Sequence, residues 1–465
     1  MEGGENSKTE NPNWEEAMVK YENVMASGTK SMKRKAMIML AHYSKRVPEH
    51  VLVTTIPILT QILGENIAND SFPDLLQETA AYCLKCIACR GDGALVNEMC
   101  GHGVTHSLIR LLPCAEGKMQ KVLIKLLMVV VNFCSTSRIV VGANGGLEII
   151  ISLLNSCNND VRLYLLEILS ALALRREIRK ELIRLGALHF IVEAVGVGNM
   201  VSRERACQSI GLLGVTREAR RTLVELGVIP VLVELFRNGD NATKLVAGNT
   251  LGVVSAHGYV RQVAEARAIP LYAELLQGSD ASGKEIAQDV FCILAVSEPN
   301  SVEIVGHMVR ILREGDDEAK AAAADVIWDL SVYKHATSVV WASGMIPILV
   351  ELLGHGSEEV KKSVSGAFSQ LSYVGAGRMA LAEAGAIPIL NDMLHDDTEE
   401  LKYNAVEALS NFHEDPLYHD TVSDVVDVPS FRNMQNRLVQ IRNEHMTGSL
   451  RRMSVQQLIS IASHV

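Results

Sequence analysis

The chain has 465 residues and a net charge of −10 at neutral pH, with 48% apolar and only 5% aromatic residues. This acidic balance argues against nucleic acid as the main ligand, because nucleic-acid-binding domains carry clustered positive charge. No stretch is long and apolar enough to span a bilayer, since even the best candidate, residues 122–134, contains Lys125. Nine cysteines in a chain without a secretion signal predict reduced thiols.

The N-terminal stretch is polar and acidic, which predicts disorder over residues 1–13 and neither a signal nor a transit peptide. Residues 14–47 are predicted to form capping helices ahead of a repeated region. The early basic cluster, residues 30–35, lies inside the first helix that carries the repeated pattern, so it does not form a separate basic arm.

A short phrase of the form Gly-apolar-Ile-Pro, followed by an apolar run, recurs at steps of about forty residues. Clear copies begin at Gly227, Gly344 and Gly385, and softer copies begin at Gly145, Gly186 and Arg267. A fixed period of this length predicts a helical solenoid. Glycine suits the end of one helix and proline suits the first turn of the next.

A second phrase keeps the same period, with a small or apolar residue, an apolar residue four positions on and another seven positions on. Its copies begin at Ala36, Ala80, Leu126, Leu165, Ala206, Ala247, Ala287, Ala323, Val364 and Ala405. These three apolar residues of the phrase lie on one face of a helix, so each copy buries an apolar stripe against its neighbours. The two phrases together predict one short and two long helices per period.

This combination of phrases resembles the armadillo repeat over residues 30–415. The resemblance implies an all-α fold, a right-handed α-solenoid of about nine repeats over residues 48–416. One copy departs from the pattern, because residues 302–330 lack the Gly and Pro of the first phrase and the spacing from Pro270 to Gly306 is only 36 residues. We expect the first short helix of that copy to be missing.

Three cysteines, Cys83, Cys86 and Cys89, form a CxxCxxC run inside a helix that carries the second phrase. Cys100 and His102 are the outside candidates that would complete a zinc site. Core packing is the favoured interpretation, because these spacings spread the sulfurs over about 120° of the helix. Nucleotide-binding, dinucleotide-binding, zinc-protease and serine-hydrolase motifs are missing from the sequence. We expect no enzymatic activity, no cofactor and no metal.

We number the places of the second phrase from its first residue, which is place one. The third and seventh places then predict the residues that line a binding groove. In nuclear-import adaptors of the armadillo family these places hold Trp and Asn, which bind an extended basic peptide. This chain has no Trp in the third place and only two Asn in the seventh, which disfavours an importin-like receptor. The candidate groove residues are Asn132, Glu167, Ala171, Gln208, Leu212, Asn249, Val253, Asp289, Ile293, Asp325, Asp329, Gln370, Glu407 and Asn411.

Two interpretations of these columns remain open. Four apolar residues of the middle copies form a strip in the seventh place, namely Ala171, Leu212, Val253 and Ile293. Carboxylates stand one turn away, namely Glu167, Asp289, Asp325 and Glu407, with Asp329 beside them. Either the strip packs against neighbouring helices, or the groove binds a basic, apolar-anchored segment of a partner protein in the helix-in-groove mode.

The resemblance implies a non-catalytic protein-interaction scaffold or adaptor. We expect its partners to be proteins and its location to be the cytoplasm, shared with the nucleus. Two alternatives stay open: the substrate-binding subunit of a ubiquitin-ligase complex, and an importin-alpha-like transport adaptor.

Residues 417–465 are predicted to form an acidic linker and a basic amphipathic tail. Phe431, Met434, Leu438 and Ile441 recur at helical spacing, which indicates a helix with one apolar face. This tail either caps the last repeat or folds back over the groove as an internal ligand. Ser454 follows two arginines and is a candidate phosphosite, whose phosphate would repel the tail from nearby carboxylates.

Overall fold

The computed structural model describes residues 13–65, 74–90, 93–156, 159–256, 258–331 and 333–448. Within these ranges the chain forms 29 α-helices and no β-strand, which confirms the all-α fold class. The chain divides into two compact units, unit 1 (Met1–Leu212) and unit 2 (Leu213–Val465). Residues 1–13 are predicted to be disordered, and residues 1–12 of this segment lie outside the described ranges.

Unit 1 is built from helices in the following chain order: α1 (Trp14–Ser27), α2 (Lys30–Tyr43), α3 (Glu49–Gly64), α4 (Leu75–Ala88), α5 (Ala94–Gly101), α6 (Val104–Leu111), α7 (Gly117–Phe133), α8 (Ser135–Ala143), α9 (Gly146–Ser156), α10 (Asn159–Ala173), α11 (Arg176–Arg184), α12 (Leu188–Gly196) and α13 (Met200–Leu213). A short 3-10 turn, Leu112–Cys114, precedes α7.

Unit 2 continues with α14 (Arg217–Glu225), α15 (Val228–Asn238), α16 (Asn241–Ser255), α17 (Val260–Glu265), α18 (Ala268–Leu276), α19 (Ala281–Leu294), α20 (Glu298–Glu314), α21 (Asp317–Leu330), α22 (Lys334–Ala342), α23 (Ile346–His355), α24 (Glu358–Leu371), α25 (Gly375–Glu383), α26 (Ala386–Met393), α27 (Glu399–His413), α28 (His419–Val426) and α29 (Pro429–Gly448).

Ten helices carry the second phrase, and we call them the inner helices: α2, α4, α7, α10 and α13 in unit 1, and α16, α19, α21, α24 and α27 in unit 2. Successive inner helices pack against one another along each unit, as α4 does against α7 and α21 does against α24. Most phrase residues are buried, and Leu251 and Leu409 have no exposed surface, whereas Tyr43 and Phe133 at the ends of two copies are exposed. The inner face is the side of these helices that carries the third and seventh places of the phrase.

The first phrase sets the start of the second helix in each repeat. Gly227 and Gly385 adopt φ values of 78° and 84°, in the left-handed region that glycine tolerates without strain. Arg267 takes the same position ahead of α18 with a φ of 66°, and it is the one described non-glycine residue with a positive φ. Its side chain carries a steric cost that glycine avoids.

Aspartates start three consecutive inner helices of unit 2. Asp240, Asp280 and Asp316 are the N-caps of α16, α19 and α21, and each side chain accepts a hydrogen bond from a backbone N–H of the first turn. These donor–acceptor distances are 2.9, 3.1 and 2.8 Å. The caps satisfy N–H groups that have no partner inside the helix.

Arginines close the opposite ends of several inner helices. Arg138, Arg220 and Arg378 each occupy the fourth residue of the following short helix, α8, α14 and α25. Their guanidinium groups donate to carbonyls at the end of the preceding inner helix, for example from Arg220 Nε to Gly214 O at 2.9 Å. A cation at this position also complements the negative end of the helix dipole.

The irregular repeat has two helices, α20 and α21, where a regular repeat has three. The expectation that its separate short helix is missing is therefore confirmed. Because α20 is continuous over 17 residues, no glycine turn is needed within it. Ser301 Oγ donates to Ala295 O at 2.8 Å, so a serine replaces arginine in closing the preceding helix.

The cysteine run places its thiols in different surroundings. Cys83 is fully buried in α4, Cys86 is partly buried and Cys89 is exposed. In the described part of the chain, no group of three or more His, Cys, Asp or Glu side chains has the geometry to hold a metal ion. Burial raises the pKa of the Cys83 thiol, as expected for a core residue.

The C-terminal helix α29 packs against α27 and α28 of unit 2. Phe431 is fully buried there, and Gln435 Nε2 donates to Ser410 Oγ at 3.2 Å. These contacts cover the last repeat. The side chain of Ile441 and all of Ser454 lie outside what is described, so the tail beyond residue 448 stays an expectation.

In the described ranges no single helix has the length and apolar composition to cross a membrane. Two sharply bent helix pairs, α8 with α9 and residues 336–342 with α23, meet that test by length and composition alone.

Candidate functional site

The inner face of unit 1 holds a linked set of polar side chains from three consecutive inner helices. Asn132 on α7 donates from Nδ2 to Glu167 Oε1 on α10 at 2.8 Å. Arg205 on α13 donates from Nη1 to both Asn132 Oδ1 and Glu167 Oε1, at 3.0 and 3.1 Å. The Arg205 and Glu167 side chains are only 23% and 18% exposed. The expected acidic groove residue Glu167 is therefore neutralised by an arginine inside the protein.

Further guanidinium groups surround this set. Burial, together with nearby Arg205 and Arg175, lowers the pKa of Arg138 below its usual value. Arg138 is held there because its Nε and Nη2 donate to Val131 O and Asn132 O at 2.7 and 3.0 Å. This part of unit 1 is consequently cationic or neutral, and the sequence prediction of a carboxylate-lined groove does not describe it.

The remaining candidate residues of unit 1 differ in how much of their surface is exposed to solvent. Gln208 is exposed and Leu212 is 37% exposed, so both are open to contact. Ala171 has no exposed surface and packs in the core. The packing interpretation therefore describes Ala171, whereas Leu212 remains available to a partner.

The inner face of unit 2 has the opposite charge. Asp289 on α19 and Asp329 on α21 are both exposed. Partial desolvation of its carboxyl group, followed by the negative charges of Asp329 and Glu285, raises the pKa of Asp289 above its usual value. The neighbouring carboxylates thus place negative charge around Asp289. Glu285 lies one turn before Asp289 on the same face of α19.

Two further groups complete this acidic cluster. The Cys292 thiol points towards Asp329, with 3.8 Å between Sγ and Oδ2. Burial and the charges of Asp329 and Asp289 raise the pKa of Cys292, so this thiol stays protonated. Burial, Cys292 and Asp329 also raise the pKa of Tyr333. We use "acidic cluster" for Glu285, Asp289 and Asp329 with these two neighbours.

Other candidate residues of unit 2 differ in how open they are. Asn249 is exposed, and Val253, Asp325 and Gln370 are partly buried. Ile293 is only 6% exposed and packs in the core, so the packing interpretation describes it.

The last repeat uses its candidate residues for internal contacts. Glu407 is 9% exposed and accepts a hydrogen bond from the Tyr373 hydroxyl. Asn411 Nδ2 donates to Ser372 Oγ at 2.8 Å. These two positions stabilise the repeat, and the predicted groove role does not describe Glu407.

Sequence reasoning missed Arg205, Glu285 and Trp328. Arg205 stands one residue before its phrase, and a search that included this position would have found a cation beside Asn132 and Glu167. Glu285 is four residues before Asp289, a spacing that places both on one helix face. The Trp328 indole lies where a side chain at Gly366 would collide with it, which explains the glycine in a groove position.

Residues 334–373 match the family model of the Armadillo/beta-catenin-like repeat. This segment contains α22, α23 and α24, the three helices of one repeat. The chain contains an armadillo repeat. The armadillo phrases seen in the sequence extend the same pattern to the other inner helices.

Solved structures include similar folds. An engineered protein from the Northeast Structural Genomics Consortium aligns with a TM-score of 0.64 and 20% identity, over 85% of this chain and 98% of its own. Two designed armadillo repeat proteins, the second in complex with the peptide (KR)4, align with TM-scores of 0.37 and 0.40. Each is 20% identical and covers 48% of this chain and 99% of its own length. No curated protein sequence matches the chain.

Proposed function

We propose that this armadillo protein is a non-catalytic interaction scaffold that binds a cationic, apolar-anchored segment of a partner protein on the inner face of unit 2. The observation that carries the proposal is the acidic cluster, in which Asp289 is held close to Asp329 and Glu285. The negative charges of Asp329 and Glu285 act on Asp289, and a positive charge bound beside Asp289 would be attracted by all three carboxylates.

Accessible apolar surface supports the second part of the proposal. Val253 on α16 is partly buried, and α16 packs directly against α19, which carries Asp289. Trp328 on α21 is also partly buried and adjoins Asp329 in the sequence. A segment that presents Lys or Arg beside apolar side chains matches this pairing of carboxylates and apolar groups.

The inner face of unit 1 supplies a matched control. Glu167 occupies the same third place of the phrase as Asp289, but its charge is already paired with Arg205. Replacing Glu167 with Gln removes a carboxylate without changing the acidic cluster of unit 2. A partner that binds the acidic cluster should therefore lose affinity when Asp289 is substituted and keep its affinity when Glu167 is replaced with Gln.

The test is a fluorescence-anisotropy titration of the full chain with a labelled helical peptide. Successive turns of this peptide carry Lys and Leu in alternation. We expect Asp289→Asn and Asp329→Asn each to weaken binding about 3- to 5-fold, the usual size of an exposed charge pair. Added salt should reduce the difference, because exposed charges are screened. Glu167→Gln should leave affinity unchanged.

Two results would contradict the proposal. One is a double variant, Asp289→Asn with Asp329→Asn, that binds the peptide as tightly as the natural chain. The other is equal binding of a control peptide in which every Lys is replaced by Glu, because the acidic cluster should repel that peptide.

A further inference from the structure

A group of thiols and hydroxyls lies in unit 1, on the short helices of two consecutive repeats, and Cys134, Ser137 and Thr105 of this group are buried. Cys134 is the N-cap of α8, and Cys100 lies in the last turn of α5. Ser137 Oγ donates to Cys100 Sγ at 2.9 Å and lies 2.9 Å from Thr105 Oγ1. Cys134 Sγ lies 3.0 Å from Thr136 Oγ1. The proposed partner-binding function does not use any of these residues.

We propose that Cys134 and Cys100 form a peroxide-oxidisable thiol pair, in which Cys134 is the nucleophile and Cys100 closes a disulfide. The pair is independent of the acidic cluster of unit 2.

The hydrogen-bond surroundings assign the two roles. Burial by itself would raise the pKa of the Cys134 thiol, but hydrogen bonds from Ser137, Thr136 and Cys100 lower it to about 7. Burial instead raises the pKa of Cys100 to about 12, and contact with Cys134 adds to that rise. At neutral pH, Cys134 therefore supplies thiolate and Cys100 keeps its proton.

Access and position favour a small oxidant. Cys134 is 4% exposed, whereas Cys100 is partly exposed at the end of α5. The N-terminus of α8 also carries a partial positive charge, which stabilises a thiolate at its N-cap.

The reaction has two balanced steps. The Cys134 thiolate attacks one peroxide oxygen, so that an S–O bond forms, the O–O bond breaks, and hydroxide or alkoxide leaves. This step oxidises the Cys134 sulfur to sulfenic acid and reduces the peroxide. The Cys100 sulfur then attacks the Cys134 sulfur, forming the S–S bond and breaking the S–O bond. The released hydroxide takes the Cys100 proton and leaves as water.

Cys83 provides an internal control in the same unit. Its thiol is also buried, but burial and the nearby Cys86 raise its pKa rather than lower it. Two buried thiols with opposite pKa directions should differ in reactivity for electrostatic reasons and not because of access alone.

The test treats the reduced full chain with hydrogen peroxide, blocks remaining thiols with iodoacetamide and identifies peptides by mass spectrometry. We expect a cross-linked Cys100–Cys134 peptide that has lost two hydrogens. Cys134 should be oxidised at least about tenfold faster than Cys83, and its rate should fall as the pH drops below about 7. Equal rates for Cys134 and Cys83 in the natural chain would overturn the proposal, and this comparison requires no variant.

Variants then separate the two roles. In Cys100→Ser, oxidation should stop at a Cys134 sulfenic acid that dimedone traps. Ser137→Ala should slow oxidation, because it removes the hydroxyl that donates to Cys100 Sγ and that helps to lower the pKa of Cys134. Cys114→Ser, which removes an exposed thiol, should change nothing. Circular dichroism checks that each variant is folded. A dimedone adduct in the natural chain without any cross-linked peptide would refute the assignment of Cys100.

Discussion

The inner faces of the two units use the same repeat positions for opposite electrostatics. In unit 1, Glu167 bonds to Arg205 and Asn132, so its carboxylate is satisfied within the protein. In unit 2, partial desolvation and then the negative charges of Asp329 and Glu285 raise the pKa of Asp289. The repeat therefore fixes the position of a side chain on the inner face, whereas residues from neighbouring repeats determine whether its charge is paired and whether it is exposed.

Substitutions of buried core residues should lower the free energy of unfolding by similar amounts in the two units. Leu165→Ala in unit 1, and Leu251→Ala or Leu409→Ala in unit 2, each remove a fully buried side chain, and each should cost about 2–5 kcal/mol. Because repeats contact mainly their neighbours, hydrogen exchange should increase first in the adjacent repeats. A uniform loss of protection across the whole chain would contradict this local behaviour.

Charge removal should then affect the two units in opposite directions. Glu167→Ala leaves Arg205 partly buried without its carboxylate, so we expect the free energy of unfolding to fall by about 1–3 kcal/mol. Asp289→Asn removes a repelled charge from an exposed position and should raise stability by no more than about 0.5 kcal/mol. Urea unfolding of both variants measures the sign of each change in the free energy of unfolding. A loss of stability in Asp289→Asn would contradict the proposed difference between the two units.

The turn before the second helix departs from the common pattern in one repeat of unit 2. Glycine occupies this position at Gly145 and Gly186 of unit 1 and at Gly227 of unit 2, while Arg267 holds it in the next repeat of unit 2 at a φ of 66°. We expect Arg267→Gly to stabilise the protein by ~1 kcal/mol through relief of left-handed strain. Gly227→Ala should destabilise it by a similar amount, because an added Cβ meets no atom there and only the backbone cost remains. Thermal unfolding measures both.

The smallest expected effect is the pH dependence of Asp289. A carboxyl group with a raised pKa in the folded state binds its proton more readily there than in the unfolded chain, so the stability contribution of this group rises as pH falls through that pKa. The effect should stay below about 1 kcal/mol at this exposed position. Binding of the cationic peptide should weaken over the same pH range, since protonation removes the charge that it contacts.

Asp329→Asn is the control for that pH dependence. Removing the neighbouring charge should bring the pKa of Asp289 closer to its usual value and shift the pH dependence to more acidic conditions. NMR titration of the Asp289 carboxyl group measures this directly. An unchanged titration would show that Asp329 does not act on Asp289.

Much of the fold follows from the chain itself. The Gly-Ile-Pro phrase predicts where helices end and begin, since glycine tolerates φ values near 80° and proline suits a first helical turn. The second phrase predicts which helices are inner, because its apolar places share one helix face. Even the missing short helix before α21 was visible as a shortened spacing.

Local sequence pattern is enough to predict the repeat, the class of fold and the positions that form the inner face. Which of those positions are exposed to a partner depends on how the helices pack. Ala171 and Ile293 are buried by neighbouring helices, and Glu407 is hydrogen-bonded by Tyr373. The physical reason is that helical periodicity acts over a few residues, whereas charge pairing depends on groups that stacking brings together, as Arg205 reaches Glu167 from 38 residues away.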